Sequence, residues 1–597
     1  MKLMHLIFTS QLLFSALLAS PCIRIANKTK HPVYVSFYYS QRPTLVRAST
    51  SILLPASNAV RLSPPHTKFA HQRFIACAPR SPLPRKLSSR KTPFLTAPRA
   101  IGLGKPSDFT LFKEGARYRL EPTHVWETIE RTHVDISHSS HIQEPVRVEQ
   151  KELSIEEKHT QRMLHAQSHI EKLLPHKPAR PLTVAFCSSG GGIRAMSATM
   201  GALRGLKDID FLDTITTMSV LSGSSWALAP WILSGQTCHA YDQALSSRLT
   251  QGILPNVKEI CKDLERVKKE KALLQQQTSI IDFYGLALSH TLIKPLTPHH
   301  ATCTLSQLSK CFDYTKHPIP LFTAAARLDN ETYSWFTCTP ERITSQHNNH
   351  SIPLWSLGRS FQHGEPHNRM PEPSLGYMLG IFGSSFSLSL RDVIEKAPDY
   401  VGSWATGWLT QGMRSHIENA AWANKKISAS SLPNFLYKLP DTPGSDKEFL
   451  TLVDGGYKNN IPLEPLLSHH KGALDLIIIL DNRRNLSHRI TGWHDAVATL
   501  QSAGYEIPHL SDKQITTQTC TYAPATKSGM PSLIYLTLSP DETYPVKGFD
   551  ITKDRRYITP NFYYSKRDYK ELSDFTAHAI RQRRDLFVKA LTESAQL

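Results

Sequence analysis

"VAFCSSGGGIRAMSATMGALRG", residues 184–205, sets an apolar run, three consecutive glycines and a helix-like stretch of small and apolar residues side by side. Glycine packs nothing and loses the most chain entropy on folding, so three together mark backbone that takes positive φ or lets a group approach its N–H donors closely. A strand, a glycine turn and a helix start aim those donors, and the positive end of a helix dipole, at one point that favours negative charge. That charge can belong to a phosphate, a dinucleotide or a transition state. A phosphate loop requires Gly-Lys-Ser/Thr after four intervening residues, and no lysine follows Gly192 at that spacing. Gly190, Gly192 and Ala195 satisfy G-x-G-x-x-A, with Asp208, Asp210 and Asp213 further on, but a dinucleotide fold needs the acid at the end of its second strand. The next strand-like run here, "TITTMSV" (214–220), carries no acid at its end and leads into a turn where Ser222 stands instead.

That serine lies in "SVLSGSSWALAPW" (219–231), which reads as a nucleophile elbow: a strand, a tight turn through Ser222 with small Gly223 and Ser224 after it, then a helix start. Full G-x-S-x-G would place glycine at 220 and 224, where Val220 and Ser224 stand; a serine-rich helix cap is the plainer alternative. A third stretch, "FLTLVDGGYKNNIPLEPLL" (449–467), places Asp454 directly after an apolar run and before two glycines. Alone, Asp-Gly-Gly is ordinarily a turn. After a strand it is also a position from which a short carboxylate reaches a neighbouring serine.

Taken in order, "SSGGGIRAMS" (188–197), "LSGSSW" (221–226) and "VDGGYKNNIP" (453–462) resemble the catalytic signature of the cytosolic phospholipase A2 family, related to the patatin-like lipases and fungal lysophospholipases. The likeness takes in "LSIEEKHTQRML" (153–164), "PLFTAAARLDN" (320–330), "SLGYMLGIFGSSFSLSL" (374–390), "LDLIIILDNRRN" (474–485) and "PNFYYSKRDYKELSDF" (560–575), so it spans about residues 153–595. The resemblance implies a three-layer α/β catalytic domain of the patatin and cytosolic phospholipase A2 kind. It implies a phospholipase or lysophospholipase reaction in which Ser222 attacks an acyl ester, Asp454 takes the hydroxyl proton, and the N–H groups of Gly191 and Gly192 form the oxyanion hole. Arg194 would hold the lipid phosphate or support the developing charge. The family's glycine two residues before the nucleophile is Val220 here, which would strain or narrow the elbow.

No calcium-binding lipid module is legible in residues 1–152, so calcium dependence is not expected, and neither a metal nor a cofactor is. His299 with His300, His469 with His470, and "HGEPH" (363–367) lack a second ligand group at a recognised spacing and read as exposed loops. "GYMLGIFGSSFSLSL" (376–390) either lines an acyl pocket, as the resemblance implies, or forms a buried core helix. Two competing functions stay open: a membrane-binding protein with a decayed hydrolase site, suggested by Val220, and a Ser-His-Asp esterase drawing its base from the chain's 28 histidines.

The frame around these motifs is an ordinary globular one, 597 residues with 40% hydrophobic and 20% charged side chains. Residues 1–21 combine Lys2, an apolar stretch from Leu6 to Leu18 and small residues at Ala19 and Ser20, the layout of a secretory signal, with a short buried helix as the plainer alternative; the protein is expected to be exported and to act at a membrane surface, or to be cytoplasmic if the segment is not a signal. Residues 22–79 alternate like a small β-rich module, residues 80–152 begin dense in Pro, Ser and basic residues and read as a linker, and 153–597 form the catalytic domain. Lys and Arg at 69 against Asp and Glu at 50 give a charge of +19, which suits an anionic phospholipid surface. Nucleic acid has only this charge in its favour, since no zinc-finger spacing or RNA-binding aromatic signature is present. The nine cysteines are scattered and form neither a metal motif nor a disulfide framework, although Cys303 and Cys311 could bridge in an exported chain.

Overall fold

The structure is a computed structural model. It describes residues 157–384 and 430–597 apart from 253–256, 274–275, 277, 329–332, 348, 369 and 560, together with strands between Ile23 and Pro122 and at Glu149–Gln150. The chain divides into two compact units, Met1–Glu144 with Arg369–Pro371, and Pro145–Asn368 with Glu372–Leu597. Residues 1–21, read as a secretory signal, lie outside the described residues.

The first unit is β-rich, as its alternating sequence predicts. One four-stranded sheet pairs β1 (Ile23–Asn27) with β4 (Ala59–Leu62) and with β7 (Ser107–Glu114), which in turn pairs with β8 (Arg117–Pro122). A second joins β2 (Val33–Arg42), β3 (Leu45–Leu54), β5 (Gln72–Ala78) and β6 (Lys86–Leu87). The linker expected over 80–152 is therefore corrected, because β7 lies directly beside β1. The alternating "SDFTLFKE" and "RYRLEP" form a hairpin that the surrounding Pro and basic residues disguise.

The second unit is a three-layer α/β domain. Five parallel strands form the heart of an 11-stranded sheet: β10 (Val184–Ser188), β11 (Ile215–Leu221), β12 (Ile319–Arg327), β17 (Leu476–Asp481) and β19 (Ser532–Thr537). Antiparallel strands β13 (Tyr333–Cys338), β14 (Arg342–Ser345), β15 (His350–Pro353) and β9 (Glu149–Gln150) extend one side, and β18 (Cys520–Ala523) the other. These central strands are buried on both faces, which explains why they read as near-continuous apolar runs.

Side-chain alternation divides the core into two layers. Val184, Phe186, Met218, Val220, Ile478 and Leu480 face the helices α2 (Gly192–Asp208), α3 (Gly223–Ser234) and α10 (Lys566–Arg581). Ala185, Cys187, Ile477 and Ile479 face α8 (Leu463–His469) and α9 (Leu486–Ser502). In the chain α5 (Val257–Leu273) and α6 (Ile280–Leu288) fall between β11 and β12, and α7 (Leu375–Phe382), which packs on α6, follows β15. Helix α7 is buried along its length, the core-helix alternative for "GYMLGIFG"; residues 385–390 of that motif lie outside the described residues. Cys303 and Cys311 are free thiols, so the bridge considered for an exported chain does not form.

One short strand decides where the chemistry sits. β16 (Leu452–Asp454) joins the sheet antiparallel to β12, using the half of β12 that β11 leaves unpaired. Leu221, the last residue of β11, is opposite Thr323, and Asp454 is opposite Ala324, the next residue of the same strand. Ser222 and Asp454, more than two hundred residues apart in sequence, thus emerge side by side from one edge of β12.

Candidate active site

The chain leaves β11 through Ser222 at φ 56° and ψ −123° and enters α3 at Gly223. Positive φ at a residue with a Cβ costs of order 1–3 kcal/mol and persists only where the surroundings enforce it. Here they do. A Cβ at Gly223 would overlap the carbonyl oxygen of Gly192, and one at Gly190 would lie 2.9 Å from the Ser222 Cβ, so bare backbone on both sides lets the strained serine fit. Val220, expected to strain or narrow the elbow, sits instead within the regular ladder of β11, fully buried, with its carbonyl accepting from the Thr323 hydroxyl at 2.9 Å.

The three-glycine turn joins β10 to α2. Gly191 has φ 147° and Gly192 φ 61°, both conformations that side chains disfavour, so this loop does use glycine's freedom. Two helix N-termini, of α2 and α3, start beside it. The loop is anchored by a buried polar network that the sequence gives little sign of. Ser224 Oγ donates to the Ser189 carbonyl (2.7 Å) and lies 2.9 Å from both Ser188 Oγ and Thr199 Oγ1. The Asn482 side chain donates to the Ser189 carbonyl (2.8 Å) and to Ser188 Oγ (3.1 Å), while its backbone N–H donates to Ser189 Oγ (2.7 Å). The one signal for Asn482 is a polar residue immediately after the apolar strand "LIIILD".

Arg194 is almost fully buried and donates to the Asn482 carbonyl (2.7 Å), the Tyr557 carbonyl (2.6 Å) and Thr559 Oγ1 (3.2 Å). Burial pushes its pKa down to about 10. Its guanidinium underlies the glycine turn so closely that a Cβ on Gly191 would come within 2.7 Å of it. Three of its donors are thereby committed to the protein.

Asp454 caps the short turn Gly455–Tyr457. Its Oδ1 accepts from the Gly456 N–H (2.8 Å) and its own N–H donates to Ser384 Oγ (3.1 Å), just beyond α7. The carboxyl group is buried, and the phenol of Tyr284 on α6 is pushed well up by burial and then by the charge of Asp454. Tyr284 packs edge-on against Trp226 of the elbow helix, with ring centres 6.0 Å apart.

Gly190, Gly191, Arg194, Ser222 and Asp454 line one cavity of about 510 Å³, a volume suited to a small ligand or the reacting end of a larger one. Gly192 is not part of its lining; it packs against the carbonyl of Thr559 and beneath Gly223. Cations gather towards the cavity's other wall. Lys458 pairs with Glu464 (3.1 Å) and Arg483 with Asp481 (2.7 Å), where burial opposes the guanidinium's charge but Asp481 outweighs it. Arg484 is half-buried, donates Nε–H to the Ile551 carbonyl (2.8 Å) and its charge helps hold the Asp554 carboxyl below the usual carboxylate range.

The histidines read as exposed loops separate on inspection of their positions. His299, His363 and His367 are exposed, whereas His469 and His470 are half-buried, and His470 Nε2 lies 2.9 Å from Thr217 Oγ1. His300 is largely buried, a correction to the exposed-loop reading, since its loop folds back against α5 and the turn after α6. Among the described residues, His488, beside Arg484, is the one histidine that lines this cavity.

A strained serine turn, a glycine-rich turn with two helix starts and a buried aspartate, all at the carboxyl edge of a three-layer parallel sheet, define the patatin-like class of α/β domain. Residues 184–528 match the family described as the lysophospholipase catalytic domain. The chain belongs to that family. Cytosolic phospholipase A2 zeta of Mus musculus is 24% identical over 369 residues, covering 50% of this chain and 42% of the relative. Cytosolic phospholipase A2 epsilon of Mus musculus is 27% identical over 266 residues, covering 42% and 28%. The chain thus spans less than half the length of these two relatives. Among solved structures, human GIVD cytosolic phospholipase A2 superposes with a TM-score of 0.64 at 17% identity, over 96% of this chain and 82% of that one, a likeness of fold.

Proposed function

We propose that the protein is a serine acyl hydrolase that cleaves acyl esters of glycerophospholipids and lysophospholipids through a Ser222–Asp454 dyad. The observation that carries this reading is the shared use of β12, which sets the strained serine and the buried aspartate beside each other in one cavity. Ser222 Oγ attacks the ester carbonyl carbon as its proton passes to the Asp454 carboxylate, and the N–H of Gly191, on the cavity lining, receives the oxyanion. Collapse of the tetrahedral intermediate expels the alcohol, which takes the proton back from Asp454 and leaves an acyl-serine. Water, deprotonated by the same carboxylate, then releases the fatty acid.

Arg194 acts on the developing charge through the turn that it braces, while Arg484, on the lining of the same cavity, meets the anionic headgroup. A related protein, human GIVD cytosolic phospholipase A2, has been solved in complex with methyl gamma-linolenyl fluorophosphonate, and that chemistry supplies the test. A fluorophosphonate probe should label the wild-type protein readily, Asp454→Asn weakly and Ser222→Ala not at all. Labelling of Ser222→Ala equal to wild type would reject the assignment.

The net charge of +19 and the secretory reading of residues 1–21 support an exported enzyme working on an anionic membrane surface. No described helix is long and apolar enough to cross a membrane. Co-sedimentation should favour anionic over zwitterionic vesicles and weaken as salt is raised. Binding indifferent to both would refute the surface preference.

A further inference from the structure

Away from the cavity at Ser222, three metal-ligand side chains converge where α5 meets the turn that follows α6, with Glu259 beside them. Glu259 and Asp263 are one helical turn apart on α5 and so share a face. His290 lies in a single π-helical turn, Ser289–Ile293, a distortion that recurs at functional sites. His300 arrives from the next loop, which is tied to that turn by the Ser289 hydroxyl donating to the His300 carbonyl at 2.7 Å.

His290 Nε2 is 2.8 Å from Asp263 Oδ2, His300 Nε2 is 3.7 Å from the same oxygen, and one ligand atom from each of the three residues lies within 4.8 Å of the others. Glu259 Oε2 stands 3.9 Å from His290 Nδ1. A tetrahedral ion with bonds of about 2.0–2.2 Å needs donor atoms roughly 3.3–3.6 Å apart, so small side-chain rotations close the set. The imidazole of His290 is 2% exposed and that of His300 13% exposed, yet His290 Nδ1 is buried without a hydrogen bond and the ring of His300 has only the Pro298 backbone and the charge of Asp263 to face. Buried polar atoms are ordinarily satisfied, and one carboxylate oxygen facing two imidazoles leaves the cluster short of a shared partner.

We propose that Asp263, His290 and His300 bind a divalent transition-metal ion of the zinc class, with solvent as its fourth ligand, that pins α5 to the turn after α6. Two imidazoles with a carboxylate suit zinc, whereas calcium and magnesium prefer all-oxygen sets. Glu259, paired with Lys294, stays outside the ligand set and faces His290 Nδ1, where a carboxylate orients a ligating imidazole. The role is structural. Helix α6 packs on α7 closely enough that a Cβ on either Gly285 or Gly376 would lie 2.6 Å from the other's carbonyl oxygen, so an ion here steadies the helices that back the Asp454 turn.

The test uses the full-length protein, stripped with chelator and titrated with Zn²⁺ by calorimetry and with Co²⁺ by visible absorption. Wild type should bind about one equivalent with a tetrahedral Co²⁺ spectrum and melt several degrees higher with Zn²⁺. Asp263→Asn and His300→Ala should each weaken that site at least about tenfold and lose the melting shift, while His299→Ala, altering the exposed neighbour, should keep both. Should His300→Ala fail to fold, His300→Gln is read in its place. Fluorophosphonate labelling should persist in the ligand variants, which separates this site from the catalytic assignment. An octahedral Co²⁺ spectrum with no melting shift in wild type, or undiminished Zn²⁺ binding in the ligand variants, would overturn the proposal.

Discussion

Ser222 stands in backbone that few residues adopt, at φ 56° and ψ −123°, while Asp454 stands in relaxed backbone at φ −50° and ψ 130°. The serine is held by what its neighbours lack: no Cβ at Gly223 and none at Gly190. The aspartate is held by what its neighbours supply, a ladder partner in Ala324, the hydroxyl of Ser384 and the N–H of Gly456. A nucleophile must project from its turn into open space, and steric emptiness around it achieves that. An acid–base group must be kept from water and aimed, and hydrogen bonds with sheet register do so. The two turns should therefore fail in different ways.

The largest effect tests whether they form one unit. Ser222→Ala and Asp454→Asn should each lower turnover of a lysophospholipid and of a short-chain ester by about 10⁴–10⁶-fold with little change in melting temperature, and the double variant should be scarcely worse. Replacing any single histidine should leave most of the activity. Near-normal rates for Asp454→Asn, together with collapse on losing one histidine, would break the partnership and restore the three-residue esterase.

Added methyl groups should separate the turns more finely. Gly223→Ala forces a clash with the Gly192 carbonyl and should cost about 10²–10³-fold in rate, the loss typical of a spoiled oxyanion site, with about 1–3 kcal/mol of stability. Gly456→Ala brings its Cβ no nearer than 3.1 Å, to Asp454 Oδ1, and should stay within about tenfold of wild type. Equal losses in initial-rate and melting measurements would erase the contrast.

Arg194→Lys comes next. A lysine cannot reproduce the fork that reaches the carbonyls of Asn482 and Tyr557, and with about 1.5–3 kcal/mol for a hydrogen bond to a charged group the rate should fall roughly 10–100-fold. A rise in KM alone would instead indicate direct contact with the lipid phosphate. The smallest effect belongs to Ser384→Ala, which removes the acceptor for the Asp454 N–H and should cost about 1 kcal/mol of stability and a few-fold in rate. Thermal melts and initial rates check it directly.

Much of this arrangement was readable from local residues. The apolar run before Gly190, the small residues after Ser222 and the Asp-Gly-Gly after "FLTLV" each announce a strand and a turn by their own chemistry. The β7–β8 hairpin was missed because Pro and basic residues around it obscure a short alternation. Asn482, Ser384 and the commitment of Arg194 to protein carbonyls gave almost no sign, since each is defined by a partner far away in the chain. His300 misled for the same reason: nothing near it in sequence places Asp263 and His290 against it.

The sequence by itself determined the chemical groups and the turns that carry them, because a glycine's tolerance of positive φ and a serine's hydroxyl are properties of single residues. Tertiary structure alone decided that Ser222 and Asp454 meet. Their adjacency comes from two strands sharing successive positions of β12, Thr323 and Ala324, and sheet register is set by the packing of two buried faces rather than by either strand's own residues.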